Sequence, residues 1–358
     1  MPKKLNSKIA VVILNYNGEK LFPVFLPSVI EHSTNDFTEI IIADNASTDN
    51  SIDYLKANYP QIIRIELSQN HGFAEGYNQA LENLKNEGEQ NNSKKFDYYI
   101  LLNSDVEVTQ NWLNPILEIF EKDTEKNISA IQPKIRMHAH KHLFEHAGAA
   151  GGMIDYLGYP FCRGRIFDTL EEDKSQYDNQ IPIFWATGAA MAIRAEVYHD
   201  LGGLDKDFFA HMEEIDLCWR IHHTGKKIVY CPESTIFHLG GGTLNPMSER
   251  KTYLNFRNGL TLLLKNLPSK NLFFKIYFRM ILDGIAGTKF LLDGKPKFTL
   301  AILKAHFYMY ANLSSILAKR KDNQKKFGNL KLPSIVYPKS IVWQYFAKKN
   351  KTFEELEK

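Results

Sequence analysis

Tyr98-Tyr99-Ile100-Leu101-Leu102-Asn103-Ser104-Asp105 is a short aromatic and aliphatic run that ends abruptly in three polar residues. An apolar run bounded by turn formers suits a buried strand. Three earlier stretches have the same form: Ile9 to Leu14, Glu39 to Ala43 and Ile62 to Leu67. Glu19 to Glu31, Asn50 to Asn58, Ala74 to Leu84 and Trp112 to Lys122 lie between or after them and suit helices. This alternation predicts an α/β fold with a mostly parallel, Rossmann-like sheet flanked by helices. Ligands of such sheets bind beyond the carboxyl ends of the strands. Four polar loops fall there: Asn15-Tyr16-Asn17-Gly18, Asp44-Asn45-Ala46-Ser47-Thr48-Asp49, Asn70-His71-Gly72-Phe73 and Asn103-Ser104-Asp105.

The bulk composition is that of an ordinary globular protein, with 44% apolar and 24% charged residues among 358. Three widely spaced cysteines (Cys162, Cys218, Cys231) argue for a reducing compartment rather than a disulfide framework. The run Ile9 to Leu14 is too short for a signal sequence, so a cytoplasmic, unexported protein is expected. No uncharged stretch approaches the ~20 residues of a membrane-spanning helix. The net charge of +3 conceals an asymmetry. Residues 246–358 hold 22 Lys and Arg against 7 Asp and Glu, whereas residues 1–245 hold 22 against 34. Two regions with different partners are therefore expected, an acidic one carrying chemistry and a basic one meeting something anionic.

Along the rest of the chain, Asn86 to Lys95 reads as a solvated loop and residues 133–181 as irregular. A helix is expected after Arg194 and another from Glu213 to His223, with strands at Ile228 to Tyr230 and Thr235 to Phe237. Beyond Pro246 the chain reads as mainly helical.

Several residues carry two readings. Asp105, beside Asn103 and Ser104, offers hard oxygen ligands for Mg²⁺ or Mn²⁺, or caps a following helix. Asp44 can accept hydrogen bonds from a base or ribose, or serve turn chemistry, with Asp49 or Thr48 capping the next helix. Gly72 and Gly76 open a helix and permit close backbone approach to a ligand. His138, His140 and His142, with Glu145 and His146, form either a metal-binding tract or a solvated loop.

The ordered series VVILNYNG, IIADNASTDNS, NHGFAEGYNQA, LLNSDVEV, TGAAMAIR, FFAHMEEIDLCWR and HLGGGT resembles the family-2 glycosyltransferases of GT-A fold, and is similar to bacterial rhamnosyltransferase-type enzymes. It spans about residues 8 to 260. The resemblance implies a nucleotide-diphospho-sugar donor (UDP-, dTDP- or GDP-linked), a divalent cation and inversion at the anomeric carbon. It places Asp44 at the donor base and Asn70, Gly72 and Asn78 in the nucleotide pocket, with Asn15, Tyr16, Asn17, Asn45, Ser47, Phe73, Asn103 and Ser104 alongside. Asp105 becomes the metal ligand, with Asn103 at the first position of the Asp-x-Asp-like motif and His238 a further ligand or a structural histidine. Gly188 would pass under the donor sugar, and Trp185 is a sugar-stacking platform or a core residue.

The resemblance also places the catalytic base in Glu213-Glu214-Ile215-Asp216, with Glu214 at the usual aspartate position, Glu213 second, and Asp216 orienting its surroundings. In the basic region, Lys275, Arg279 and Asp283 recur at i, i+4, i+8 along an otherwise apolar helix. A second apolar pattern, Phe298 to Leu317, precedes Lys319-Arg320-Lys321 and Lys325-Lys326. Such helices suit an anionic membrane surface, or packing on the catalytic region or a second subunit. No nucleic-acid recognition motif is present. The expected function is an inverting transferase at the inner face of the cell membrane, adding sugar to a glycan or lipid-linked acceptor in cell-surface polysaccharide synthesis. The alternative is a non-catalytic nucleotide-sugar-binding or scaffold protein on the same fold.

Overall fold

The computed structural model describes residues 7–91, 96–146, 148–240 and 248–357. Its first half is the expected alternation: β1 (Ile9–Asn15), α1 (Phe22–Ser33), β2 (Thr38–Asp44), α2 (Ser51–Asn58), β3 (Ile63–Glu66), α3 (Gly72–Asn91) and β4 (Tyr98–Asn103). There follow β5 (Val106–Val108), α4 (Leu113–Lys122) and β6 (Ile128–Met137). Strands β3, β2, β1 and β4 lie side by side and parallel. Side chains of a strand alternate between faces. Ile9, Val11 and Ile13 accordingly join Tyr98, Ile100 and Leu102 under α1 and α4, whereas Ala10 and Val12 join Tyr99 and Leu101 under α3.

The segment read as irregular is strand-rich. Beyond β6 it forms a small antiparallel sheet of β7 (Gly152–Ile154), β8 (Pro160–Cys162), β9 (Arg165–Ile166) and β10 (Thr169–Leu170). Then come β11 (Ile181–Ile183), β12 (Ala190–Arg194), α5 (Ala195–Asp200), α6 (Glu213–His223) and β13 (Lys227–His238). The main sheet runs β11-β13-β6-β12-β4-β1-β2-β3, and β5 pairs with β13. The two short strands expected at 228–230 and 235–237 are one strand, β13, whose register with β6 shifts between Cys231 and Thr235. Of the loop expected over 86–95, residues 86–91 belong to α3, which corrects that reading, and residues 92–95 lie outside the described residues. The three cysteines are free and buried.

The helical C-terminal part comprises α7 (Glu249–Asn266), α8 (Leu272–Leu292), α9 (Pro296–Ala311), α10 (Leu313–Phe327) and α11 (Phe353–Glu357). The single pattern Phe298 to Leu317 is divided at Asn312. Leu260, Leu262 and Leu263 of α7 are fully buried in the same core as Tyr77, Ile193 and Leu217, while residues 245 and 246 lie outside the described set. The chain end folds back over the small sheet, where the Ile341 N–H donates to buried Asp155 at 3.0 Å. The basic run on α10 is largely engaged within the protein. Lys319 pairs with Asp205 and Asp207, and Arg320 donates to the carbonyls of Leu264 and Leu267. Among the described residues no helix is long and apolar enough to cross a membrane.

Candidate active site

Strand register assembles the sheet edge. Asn15 and Asp44 are paired neighbours at the ends of β1 and β2, and the Asn15 amide donates to Asp44 Oδ1 at 2.8 Å. The Ser47 N–H and hydroxyl also donate to Asp44, and Ser47 Oγ accepts from the Asn17 N–H at 2.9 Å. Asn17 in turn accepts from the Thr48 N–H at 2.7 Å, and half-buried Tyr16 sits between these turns. Asp49 accepts from the Ser51 N–H at 3.1 Å, but the residue at the cap of α2 is Asn50, which corrects the reading of Asp49 or Thr48 as the cap. Asp44 therefore stands buried at the floor of two interlocked polar loops.

The next loop is tied to them through Asn45. Its amide donates to Asn70 Oδ1 and the Gly72 carbonyl at 3.1 and 2.9 Å, and its oxygen accepts from the His71 N–H. Gly72 has a φ of +75°, and a side chain there would strike the Phe209 ring at 2.7 Å. A Cβ on Gly76 would meet Leu14 and Asn45, and one on Gly188 would meet Phe73 at 2.9 Å. The space left by these glycines is taken by protein, which corrects the reading of Gly72 and Gly76 as openings for a ligand and of Gly188 as room beneath a sugar. Asn78 is likewise engaged away from the sheet edge: it accepts from the Tyr198 hydroxyl and the Leu204 N–H and donates to the Leu204 carbonyl.

Asp105 is followed by β5, not by a helix, so its role as a helix cap is excluded. β5 pairs antiparallel with β13 so that His238 lies opposite Val106, and the Leu239 N–H donates to the Asp105 carbonyl at 3.0 Å. This register sets His238 Nε2 3.1 Å from Asp105 Oδ1. On the other side of the ring, Glu145 Oε2 is 3.3 Å from Nδ1. Burial alone would lower the His238 pKa, but the two carboxylates outweigh it and raise it to about 10. The Asn103 amide also lies 3.4 Å from Nε2, and half-buried Ser104 intervenes. A carboxylate and an imidazole facing one another suit a small divalent cation, with Glu145 as the outer partner that orients a ligating histidine. Among the described residues no group of three or more His, Cys, Asp or Glu forms a complete metal cage, so such an ion needs further oxygens from a ligand or water. Gly241, Gly242 and Thr243 lie outside the described residues.

Sequence reasoning placed Glu145 in the histidine tract. The structure separates it from that tract: His138 pairs with Glu107 at 3.1 Å, and the His140 and His142 rings contact one another. The partner of Glu145 is far away in sequence, and no local signal marks it. Trp185 is 5% exposed, packs on Gly152 and donates to the Met153 carbonyl at 2.8 Å, which corrects its reading as a sugar platform.

The acidic cluster opens α6 after a loop in which Phe209, His211 and Met212 all have positive φ. Non-glycine residues hold that conformation only when their surroundings impose it. Here Asn258 of α7 donates to the carbonyls of Phe208, Ala210 and His211 at 3.0, 2.9 and 2.6 Å. Arg257 donates to those of Asp207 and Phe208, and the Phe209 carbonyl accepts from the Phe73 N–H. These α7 clamps were not singled out from the sequence, where the helix reads only as part of a basic region.

Glu213 Oε2, Glu214 Oε2 and His211 Nε2 are buried without a hydrogen-bonding partner among the described residues. Burial pushes Glu214 up to about 7. Glu213 is raised well above its usual range by burial and then by Glu214, while His211 is pushed down to about 4 by burial and by Lys251. Asp216 differs. Fully buried, it binds Arg220, Lys265 and Asn266, each at 2.8 Å, and despite burial those cations hold its carboxyl down. It ties α6 to α7.

Three sets of observations now meet: a parallel sheet edge with a buried aspartate, an Asp–His pair, and unpartnered carboxylates on a constrained loop. The sequence profile of Glycosyl transferase family 2 matches residues 10–200, and the chain belongs to that family. It is similar to the N-acetylglucosaminyl-diphospho-decaprenol L-rhamnosyltransferase of Mycobacterium tuberculosis, 24% identical over 236 residues, covering 64% of this chain and 75% of that one. The low-salt glycan biosynthesis hexosyltransferase Agl10 of Haloferax volcanii is 22% identical over 251 residues, covering 70% and 73%. Among solved structures, GalNAc-T7 with UDP, GalNAc and Mn²⁺ has a TM-score of 0.56 at 15% identity, over 87% of this chain and 58% of that one. S. aureus TarS 1–349 has a TM-score of 0.51 at 13% identity, over 89% and 90%. The fold is GT-A.

The raised carboxyls have a thermodynamic consequence. Glu214 binds its proton more tightly folded than unfolded, so its contribution to stability is complete below about 4.5 and is lost as pH rises through about 7. Glu214→Gln should therefore stabilise the protein above pH 7, by about 3 kcal/mol at most, and leave it nearly unchanged near pH 4. Thermal melts across that range would show the gain, and an equal effect at both ends would contradict the burial argument.

Proposed function

We propose that the chain is an inverting glycosyltransferase that moves a sugar from a nucleotide-diphospho-sugar to a hydroxyl of a glycan or lipid-linked acceptor during cell-surface polysaccharide synthesis. The observation that carries this is Glu214, whose buried Oε2 has no hydrogen-bonding partner among the described residues and whose pKa of about 7 matches that of a general base at neutral pH. Glu214 takes the proton of the acceptor hydroxyl as that oxygen bonds to the anomeric carbon. The bond from that carbon to the diphosphate breaks, and its electron pair leaves with the nucleotide. Glu213, held above the usual carboxylate range by burial and by Glu214, lies beside the base, and Asp216 holds the helix in place. Asp44 receives the donor base at the floor of the first two loops.

Asp105 and His238, the latter on losing its proton, would hold Mg²⁺ or Mn²⁺, with the donor diphosphate and water supplying the other oxygens. A bound cation there offsets charge on the departing diphosphate. Glu145 keeps the His238 ring turned toward Asp105. The names of the relatives support the acceptor class: one acts on N-acetylglucosaminyl-diphospho-decaprenol and another serves glycan biosynthesis. An acceptor carried on lipid places the enzyme at the inner face of the membrane, where the basic C-terminal part makes contact.

A donor panel of UDP-, dTDP- and GDP-sugars, assayed for Mn²⁺-stimulated release of nucleoside diphosphate, tests the reading. Glu214→Gln should lose roughly 100-fold or more in turnover while still binding donor. Binding without turnover in the unmodified protein would favour the non-catalytic alternative, and full activity in both Glu214→Gln and Glu213→Gln would remove the base assignment. Separately, Glu145→Gln should weaken Mn²⁺ binding about tenfold, read by calorimetry in the presence of nucleoside diphosphate. Undiminished affinity would mean that Glu145 does not position His238.

A further inference from the structure

Helix α8 turns two charged residues, Arg279 and Asp283, into the protein: the Arg279 guanidinium donates to Asp283 at 2.9 Å and to the carbonyls of Leu157 and Gly158, and lies 3.8 Å over the Tyr159 ring. Asp283 also receives the Tyr159 hydroxyl at 3.1 Å and meets His306 of α9 at 3.3 Å. The outer face is apolar. Phe273, Tyr277, Ile281 and Ile285 recur at helical spacing along α8, and α9 adds Leu303 and Phe307. Phe273 is 75% exposed and Phe307 70%. A helix at a water interface shows the opposite polarity, and a contiguous apolar face of this kind marks a surface that meets something apolar.

Charge selects what that is. Residues 270–304 contain seven Lys and Arg and two acidic residues. Both acids are engaged locally, Asp283 by Arg279 and Asp293 by Lys289. Lys270, Lys295 and Lys304 are exposed around the apolar face without an acidic partner among the described residues. A second copy of the chain would bring the same cations against these. An anionic bilayer satisfies both features, since acyl chains accept the rings and headgroups accept the lysines.

We propose that the α8–α9 hairpin lies in the interface of an anionic membrane with Phe273, Tyr277 and Phe307 inserted, and that this docking presents the active site to a membrane-borne acceptor. The second clause rests on the transferase reading. One helix joins the two sites: Asn258 of α7 grips the loop before Glu213, and Gly259 of α7 leaves room for the Arg279 guanidinium of α8, which a Cβ there would strike at 2.8 Å. The hairpin supplies the membrane contact, whereas the basic run on α10 is turned to pairs within the protein.

The test uses the full chain, flotation with phosphatidylcholine vesicles with and without phosphatidylglycerol, and release of nucleoside diphosphate in buffer alone. The protein should float with the anionic vesicles, and Phe273→Ser with Phe307→Ser should reduce the bound fraction roughly tenfold. Lys295→Glu with Lys304→Glu should abolish the preference for anionic lipid, and both variants should keep their basal turnover and circular dichroism. Equal flotation of the serine variant, no flotation of the unmodified protein, or a dimer in sedimentation that the serine variant dissolves would each overturn the proposal. Vesicle binding without donor turnover would leave the docking face standing and count against the transferase reading alone.

Discussion

The contact between Asp105 and His238 depends on how two strands are paired. β5 is three residues long and lies antiparallel to the end of β13, which itself runs parallel to β6. That register carries His238 across 133 residues of chain to Asp105. A one-residue slip would turn the imidazole to the opposite face of the sheet. The same pairing opens the Asn103-Ser104-Asp105 turn beside β12, where the Asn103 N–H donates to the Ala189 carbonyl. The neighbouring loops are held by side chains in the same manner, Asn15 and Ser47 on Asp44, and Asn45 on the Asn70 turn.

The acidic loop is held in an unfavourable state. The positive φ values of Phe209, His211 and Met212 and the buried, unbonded Oε2 atoms of Glu213 and Glu214 each disfavour folding by themselves. They persist because α7 supplies fixed donors to the loop carbonyls and Asp216 binds Lys265 and Arg220 beneath them. Removing one partner from such a buried set costs about 3–5 kcal/mol, so the clamp is also a large part of the local stability. The helix that by charge belongs to a separate basic region shares, by packing, the core of the sheet and clamps the loop before Glu213.

Much of this was legible in the sequence. Short apolar runs bounded by turn formers located β1 to β4, and the rule for parallel sheets put Asp44 and Asp105 at one edge. The acidic start and basic end of Glu213 to His223 gave α6 to the residue. The glycines misled, because Gly72 and Gly188 look alike in sequence whether the vacated space holds a ligand or the rings of Phe209 and Phe73. Trp185 misled for the same reason, since an aromatic beside small residues reads equally as platform or core. Glu145 was grouped with the neighbouring histidines and Asn258 was missed, because the partners of both lie far along the chain. On α8 the sequence showed a polar stripe and could not say which face turns inward, since that depends on Tyr159 and His306.

The central claim is that Asp105 and His238 together hold a divalent cation against the donor diphosphate. Anomalous diffraction from crystals grown with Mn²⁺ and a nucleoside diphosphate tests it most directly. The account predicts a manganese peak bonded to an Asp105 carboxylate oxygen, to His238 Nε2 and to the diphosphate, with Glu145 still on Nδ1. A bound nucleotide whose manganese avoids both side chains, or that binds with His238 still joined to Asp105 and no metal between them, would contradict it.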